Sequence, residues 1–184
     1  MIKRIETRII DDSKYYAISV DPGVKGTGIA MWEHPVLEGD MPKDVFNIMP
    51  SGPNTSWLGV AHQMVQDLVK IFEEFKIVRV DCEFPQFFDS AGGHATAARG
   101  DLQKLTFLVG NYAAVAWNYK VAFYPWLVND WKGQMPKIAV EKAIKRRLKG
   151  IEDLGVESHM WDAIGIGLHA HGNFLLPTRN KNEY

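Results

Sequence analysis

The run from Tyr15 to Trp32, Tyr-Tyr-Ala-Ile-Ser-Val-Asp-Pro-Gly-Val-Lys-Gly-Thr-Gly-Ile-Ala-Met-Trp, constrains the fold more than any other part of the chain. It reads as a strand ending on Asp21, a tight turn punctuated by Pro22-Gly23 and Gly26, and a second strand from Gly28 to Trp32. Two such strands make an antiparallel hairpin. The hairpin holds one carboxylate at a strand end, and the glycines leave no bulk beside it. That suits an acid that holds a metal or faces a phosphate. Asp-Pro-Gly is also an ordinary turn opener, so the rest of the chain decides between the two.

The downstream pattern alternates strands and helices. Residues 1–14 are polar and mixed and read as a lead-in. Asp44 to Met49 reads as a short third strand, extending the hairpin into a meander. Ser56 is a candidate N-cap for a helix to about Phe75, with Leu58, Ala61, Val65, Leu68, Val69 and Phe72 at helical spacing. Lys76 to Glu83 is then a strand. Strand, helix, strand implies a right-handed crossover and a parallel neighbour. Gln86 to His94 is a loop with Phe87 and Phe88 side by side. Ala95 to Tyr119 is a long helical pattern rich in Ala and Leu. Val121 to Tyr124 is a short strand closed by Pro125, and Asn129 to Pro136 is a loop. Lys137 to Lys149 is a basic helix closed by Gly150, and a last helix runs from Ser158 to about His171. The expected domain spans 15–172, and 173–184 is a polar tail. The fold class is α/β: a mixed five-stranded sheet, antiparallel meander plus parallel strands, flanked by helices.

Composition narrows the function classes. A chain of 184 residues with net charge −1 is one domain and no polycation, so nucleic-acid binding would need a local basic patch. A single cysteine, Cys82, excludes an internal disulfide framework and a cysteine-rich zinc site. No run is long enough for a membrane span, and the first residues lack the apolar core of a signal peptide. The expectation is a cytoplasmic protein with no membrane partner.

Three acidic signals fall at element ends. Asp21 ends the first strand, and Glu83 ends the strand expected to lie parallel beside it. Open α/β sheets place their sites at the carboxyl ends of strands, which would bring these two together. Asp81 shares the Glu83 face and is a rival; Glu83 lies nearer the strand end and is preferred. The third signal is Ser158-His-Met-Trp-Asp162, in which His159 and Asp162 share a helical face. Carboxylates with one imidazole make a hard site for Mg²⁺ or Mn²⁺. Each piece has a plainer reading, as a strand end or as helix-terminal charge. His34, His62, His94, His169 and His171 have no partner at ligand spacing and are read as structural or exposed. From Lys132 to Lys149, Lys132, Lys137, Lys142, Lys145, Arg146, Arg147 and Lys149 stand against one acid, Glu141. That is a basic stripe suited to phosphates, or else a solvated helix face.

In this order the pieces resemble the RuvC-type Holliday-junction resolvases of the ribonuclease H-like superfamily. The resemblance rests on Asp-Pro-Gly with its glycine-rich turn, a strand ending in Glu, a long Ala-rich helix and a terminal helix opening on His-x-x-Asp, over about 15–172. With Cys-Glu-Phe-Pro-Gln at 82–86 and Ala-Arg-Gly-Asp-Leu-x-Lys-Leu at 98–105, the chain is similar to the divergent resolvases of bacteriophages, which would put it in the host cytoplasm. The resemblance implies a ribonuclease H-like fold and four metal ligands, Asp21, Glu83, His159 and Asp162. Many members of the family carry Asp at the position of His159. It implies two Mg²⁺ or Mn²⁺ ions per site, 5′-phosphate products, a homodimer and branched DNA as partner. Lys137 is the first choice among the DNA contacts, with Lys132, Lys145, Arg146 and Arg147, and then Arg99 and Lys104. Phe87 and Phe88 are candidate wedges at a branch point. The long helix with Phe107, Tyr112 and Trp117 is the expected dimer surface. Rival readings are a broader ribonuclease H-like nuclease on branched DNA or RNA–DNA hybrids, a non-catalytic junction binder, and an actin-like ATPase domain. The last needs a second such domain around its nucleotide, so no nucleotide cofactor is expected.

Overall fold

The computed structural model describes residues 2–4, 13–37, 39–50, 56–86, 98–151 and 156–172. Its core is one six-stranded mixed sheet. In chain order the elements are β1 (Ile2–Arg4), β2 (Tyr15–Asp21), β3 (Thr27–Glu33), β4 (Asp44–Ile48), α1 (Trp57–Glu74), β5 (Lys76–Phe84), α2 (Asp101–Asn118), β6 (Ala122–Leu127), α3 (Val128–Trp131), α4 (Lys137–Arg147) and α5 (Ser158–Ala170). The strand order is β1-β4-β3-β2-β5-β6. Strands β2, β3 and β4 form the antiparallel meander, and β5 and β6 extend it in parallel from β2.

Strand β2 is the hinge of this arrangement. Its neighbours run antiparallel on one side and parallel on the other, so both of its edges are paired, and helices cover both of its faces. Tyr16, Ile18 and Val20 pack with Met64, Leu68, Ile71, Leu108 and Tyr112 of α1 and α2. Ala17, one step along, packs on the opposite face with Ala30 of β3 and with α4 and α5. Small residues on that face let α5 lie close. A side chain at Gly28 would collide with the His159 carbonyl, and one at Gly167 would collide with the Trp32 indole.

Several local expectations change in the structure. Ile2–Arg4, in the expected lead-in, adds a sixth strand by pairing antiparallel with β4. Strand β6 does not stop at Pro125 but runs to Leu127. Among the described residues it is an edge strand, bonded only to β5, so the missing proline N–H costs no inner ladder bond. Part of the loop expected over 129–136 is the short helix α3. Tyr112 is fully buried, its hydroxyl 2.8 Å from Thr27 Oγ1, so it belongs to the core and not to the outer surface of α2. Ser56 caps α1 as its position implies, its hydroxyl accepting from the Gly59 amide at 3.2 Å. Such a cap is worth roughly 1 kcal/mol. No described helix is long and apolar enough to cross a membrane.

Candidate active site

Parallel pairing sets Val20 of β2 against Cys82 of β5, so the ends of the two strands emerge together. Asp21 and Glu83 therefore approach one site from adjacent strands. Helix α5 brings its first turn over the same point. His159 Nδ1 lies 2.7 Å from Asp21 Oδ2. Gly23 makes this approach possible: a Cβ there would stand 2.9 Å from the His159 ring. Gly23 thus admits the imidazole to the carboxylate.

Asp162, one turn further along α5, is also buried. Two lysines reach these acids. Lys132 Nζ is 3.8 Å from Glu83 Oε2 and 3.5 Å from Asp162 Oδ1. Lys137 Nζ is 3.3 Å from Asp162 Oδ2 and also donates a short hydrogen bond to the Ser158 hydroxyl. The Trp131 indole N–H donates to Glu83 Oε2 at 2.9 Å.

The electrostatics are those of crowded acids. Burial holds the Asp21 carboxyl above the usual carboxylate range; the His159 hydrogen bond pulls it down, and the charge of Asp162 pushes it up again. Burial pushes Glu83 up to about 7, helped by the charge of Asp21 and opposed by Lys132. His159 is raised, chiefly by its bond to Asp21. Asp162 Oδ1 is buried and accepts no hydrogen bond.

These donors fit a hard divalent cation. The three carboxylates are the oxygen ligands that Mg²⁺ and Mn²⁺ accept, while the imidazole is a softer donor than Mg²⁺ prefers. The Asp162 oxygen that accepts no hydrogen bond, facing only the Lys132 ammonium at 3.5 Å, and the raised Asp21 and Glu83 mark negative charge that is incompletely compensated. Among the described residues, however, no group of three or more His, Cys, Asp or Glu side chains stands together in a metal-holding arrangement. Lys132 lies between Glu83 and Asp162, and His159 lies against Asp21; each serves as a partial counter-ion.

Comparison with known proteins gives no match to any family model or curated protein. Solved structures do match. Thermus thermophilus RuvC in complex with a Holliday junction substrate superposes with a TM-score of 0.62 at 17% identity, covering 85% of this chain and 93% of that one. A second T. thermophilus RuvC structure gives 0.55 at 21% identity with the same coverage. The fold is that of RuvC. At this identity the likeness to RuvC is one of fold, and the site rests on its own geometry.

The structure separates the two acids of β5. Asp81 is fully buried, bonded by Arg79 at 2.7 and 2.8 Å and by the Trp126 indole at 2.9 Å. Glu83 alone of the pair reaches the site. Lys132 and Lys137 stand inside it. Lys145 pairs with Glu141 at 2.7 Å and lies over the Trp161 ring, while Arg146 is exposed. Arg99 and Lys104 are both bonded to Asp101 at the start of α2. Phe87 and Phe88 lie outside the described residues. Sequence reading missed Trp131, because a tryptophan in an expected loop carries no periodic signal.

Proposed function

We propose that this chain is a metal-dependent endonuclease that resolves four-way DNA junctions and other branched DNA, leaving 5′-phosphate ends. The observation that supports this reading is the convergence of two linked pairs, His159 on Asp21 and Glu83 with Asp162 about Lys132, at the carboxyl ends of β2 and β5, on a RuvC fold. Asp21, Glu83, His159 and Asp162 would hold the two Mg²⁺ or Mn²⁺ ions. Bound there, the cations would supply Lewis acidity, lowering the pKa of water and offsetting charge on the phosphate.

The chain's own groups do the rest. Lys137, two-fifths exposed beside Asp162, offers its ammonium to a phosphate entering the site. Lys142, Arg146 and Lys149, exposed on and just past α4, extend that attraction along the duplex. His159 and Asp21 hold each other in place through their hydrogen bond, which orients the carboxylate before substrate arrives.

A four-way junction offers two equivalent strands, and a two-fold pair of sites matches it. Helix α2 presents Phe107 and Trp117 to solvent, Trp117 at 83% exposure. We assign this face to the second copy. Trp117→Lys should shift the protein to monomer in sedimentation and abolish paired nicking.

The deciding experiment incubates the protein with labelled junction, fork, RNA–DNA hybrid and linear duplex, with Mg²⁺, with Mn²⁺ and with chelator. Cleavage of the junction with either metal, and binding without cleavage under chelator, is expected. Preferential cutting of the hybrid would point to a broader ribonuclease H-like nuclease. Binding that never leads to cutting would point to a non-catalytic junction protein.

A further inference from the structure

Trp131 stands at the junction of the two halves of the site. It closes α3 and is fully buried. Its six-membered ring lies against α5, where a Cβ on Gly165 would come within 2.6 Å of Trp131 Cζ3. A glycine is needed at that position for the indole to fit. The other edge of the indole faces β5, and its N–H donates to Glu83 Oε2 at 2.9 Å. The same residue thus packs on the helix that carries His159 and Asp162 and bonds the acid delivered by β5.

The ring has little freedom. Interior packing restrains it on the α5 side, and its single polar hydrogen is spent on one carboxylate oxygen. The Glu83 carboxylate is in turn fixed about its terminal torsion. Oε2 accepts from the indole and faces the Lys132 ammonium, which leaves Oε1 as the oxygen free to face a cation. Outer hydrogen bonds of this kind orient metal ligands, and their loss typically lowers metal affinity about 10–100-fold.

We infer that Trp131 is a positioning residue for the metal site: its indole N–H sets the orientation of the Glu83 carboxylate and couples it to helix α5. The inference rests on the proposed reading of Glu83 as a ligand.

The test measures Mn²⁺ binding by calorimetry on the full chain. Trp131→Phe keeps a ring against Gly165 and removes the N–H, part of the ring area and part of the face over which the Lys132 ammonium stands at 4.5 Å. It should weaken Mn²⁺ binding by about 10-fold or more. Junction affinity under chelator should stay unchanged, so cleavage should fall in kcat and not in KM. The loss should vanish when Trp131→Phe is made in a Glu83→Gln background, where the carboxylate is absent. Wild-type affinity in Trp131→Phe would overturn the inference, and so would an equal loss in both backgrounds, which is the mark of packing alone. A second measurement needs no change at Trp131. In ¹⁵N-tryptophan-labelled protein, its indole N–H resonance should shift on Mg²⁺ titration, and Glu83→Gln should remove that shift. A Trp131 resonance indifferent to Mg²⁺ while other site signals move would overturn it equally. Wild-type protein that binds neither Mn²⁺ nor Mg²⁺ would instead bring down the ligand reading of the whole site, a result distinct from any of these.

Discussion

Asp81 and Glu83 lie two residues apart on one face of one strand, and the protein treats them in opposite ways. Asp81 is fully enclosed and fully answered: the Arg79 guanidinium grips both of its oxygens and the Trp126 indole adds a third bond. Arg79 itself lies 4.4 Å from the centre of the Tyr124 ring, and its guanidinium is held above its ordinary pKa by the Asp81 bond. Glu83 receives one indole N–H and one distant ammonium, and its pKa rises to about 7. A buried acid with a dedicated cation is structure. A buried acid without one is held at a cost, and that cost is a sign of function.

The largest effects should separate the two acids completely. Glu83→Gln keeps the shape, removes the charge, and should cut junction cleavage by a thousandfold or more. The metal-free protein should melt no lower than wild type. Asp81→Asn should do the reverse. It leaves the Arg79 charge without its counter-ion; Arg79 is a quarter exposed and can be partly solvated, so the loss should fall below the roughly 3–5 kcal/mol of a fully buried pair. Its cleavage rate per folded molecule should remain close to wild type. Matched melts and single-turnover cleavage assays on both variants check this. Equal behaviour of the two variants would break the comparison.

The next effect is in pH. The Glu83 carboxyl titrates near its ordinary value of 4.5 in the unfolded chain and at about 7 in the folded one. A raised acid contributes stability that is complete below about 4.5 and is lost as pH rises through about 7. Asp21 and His159, both raised, act in the same direction. Metal-free wild type should therefore lose stability between pH 5 and 8, and Glu83→Gln should lose about 1–3 kcal/mol less across that window. Saturating Mg²⁺ should restore wild type at pH 8, by about 2.7 kcal/mol at a hundred times the dissociation constant, with a smaller gain at the same Mg²⁺ concentration in Glu83→Gln, whose remaining ligands bind more weakly. Urea titrations at several pH values, with chelator or with Mg²⁺, measure both.

Much of this was legible beforehand, for physical reasons that can be named. Asp21 and Glu83 could be brought together from sequence because a strand–helix–strand crossover leaves little choice but parallel neighbours, and parallel neighbours end side by side. Ser56 announced α1 because its hydroxyl does one local task, four residues of chain being enough to define it. The choice of Glu83 over Asp81 rested only on distance to the strand end. What distinguishes them in space is Arg79, Trp126 and Trp131, two of which come from segments after α2 whose placement no local pattern reveals. Pro125 misled because a proline ends an inner strand but not an edge strand, and edge position is a property of the whole sheet. Ile2–Arg4 is too short to show a period, and its pairing with β4 is purely tertiary.

The smallest effect sharpens the comparison most, because it holds the chemistry of the change fixed. Trp126 and Trp131 each donate one indole N–H, both at 2.9 Å, to an acid of β5. Replacing either with Phe deletes the same bond. At Trp126 the acceptor is Asp81, which keeps both bonds from Arg79, so no charge is stranded and no oxygen is left to reorient. Trp126 is also only partly buried, packing edge-on to His169 at 4.8 Å between ring centres, a contact that Phe can largely preserve. Trp126→Phe should then lose about 1 kcal/mol, the net worth of one hydrogen bond, and leave Mn²⁺ affinity and cleavage at wild-type levels. At Trp131 the same deletion frees the Glu83 carboxylate to turn, and the effect should appear in metal affinity more than in stability. If calorimetry found Mn²⁺ binding equally weakened by both changes, the two acids would form one electrostatic unit, and the distinction drawn between them would fail.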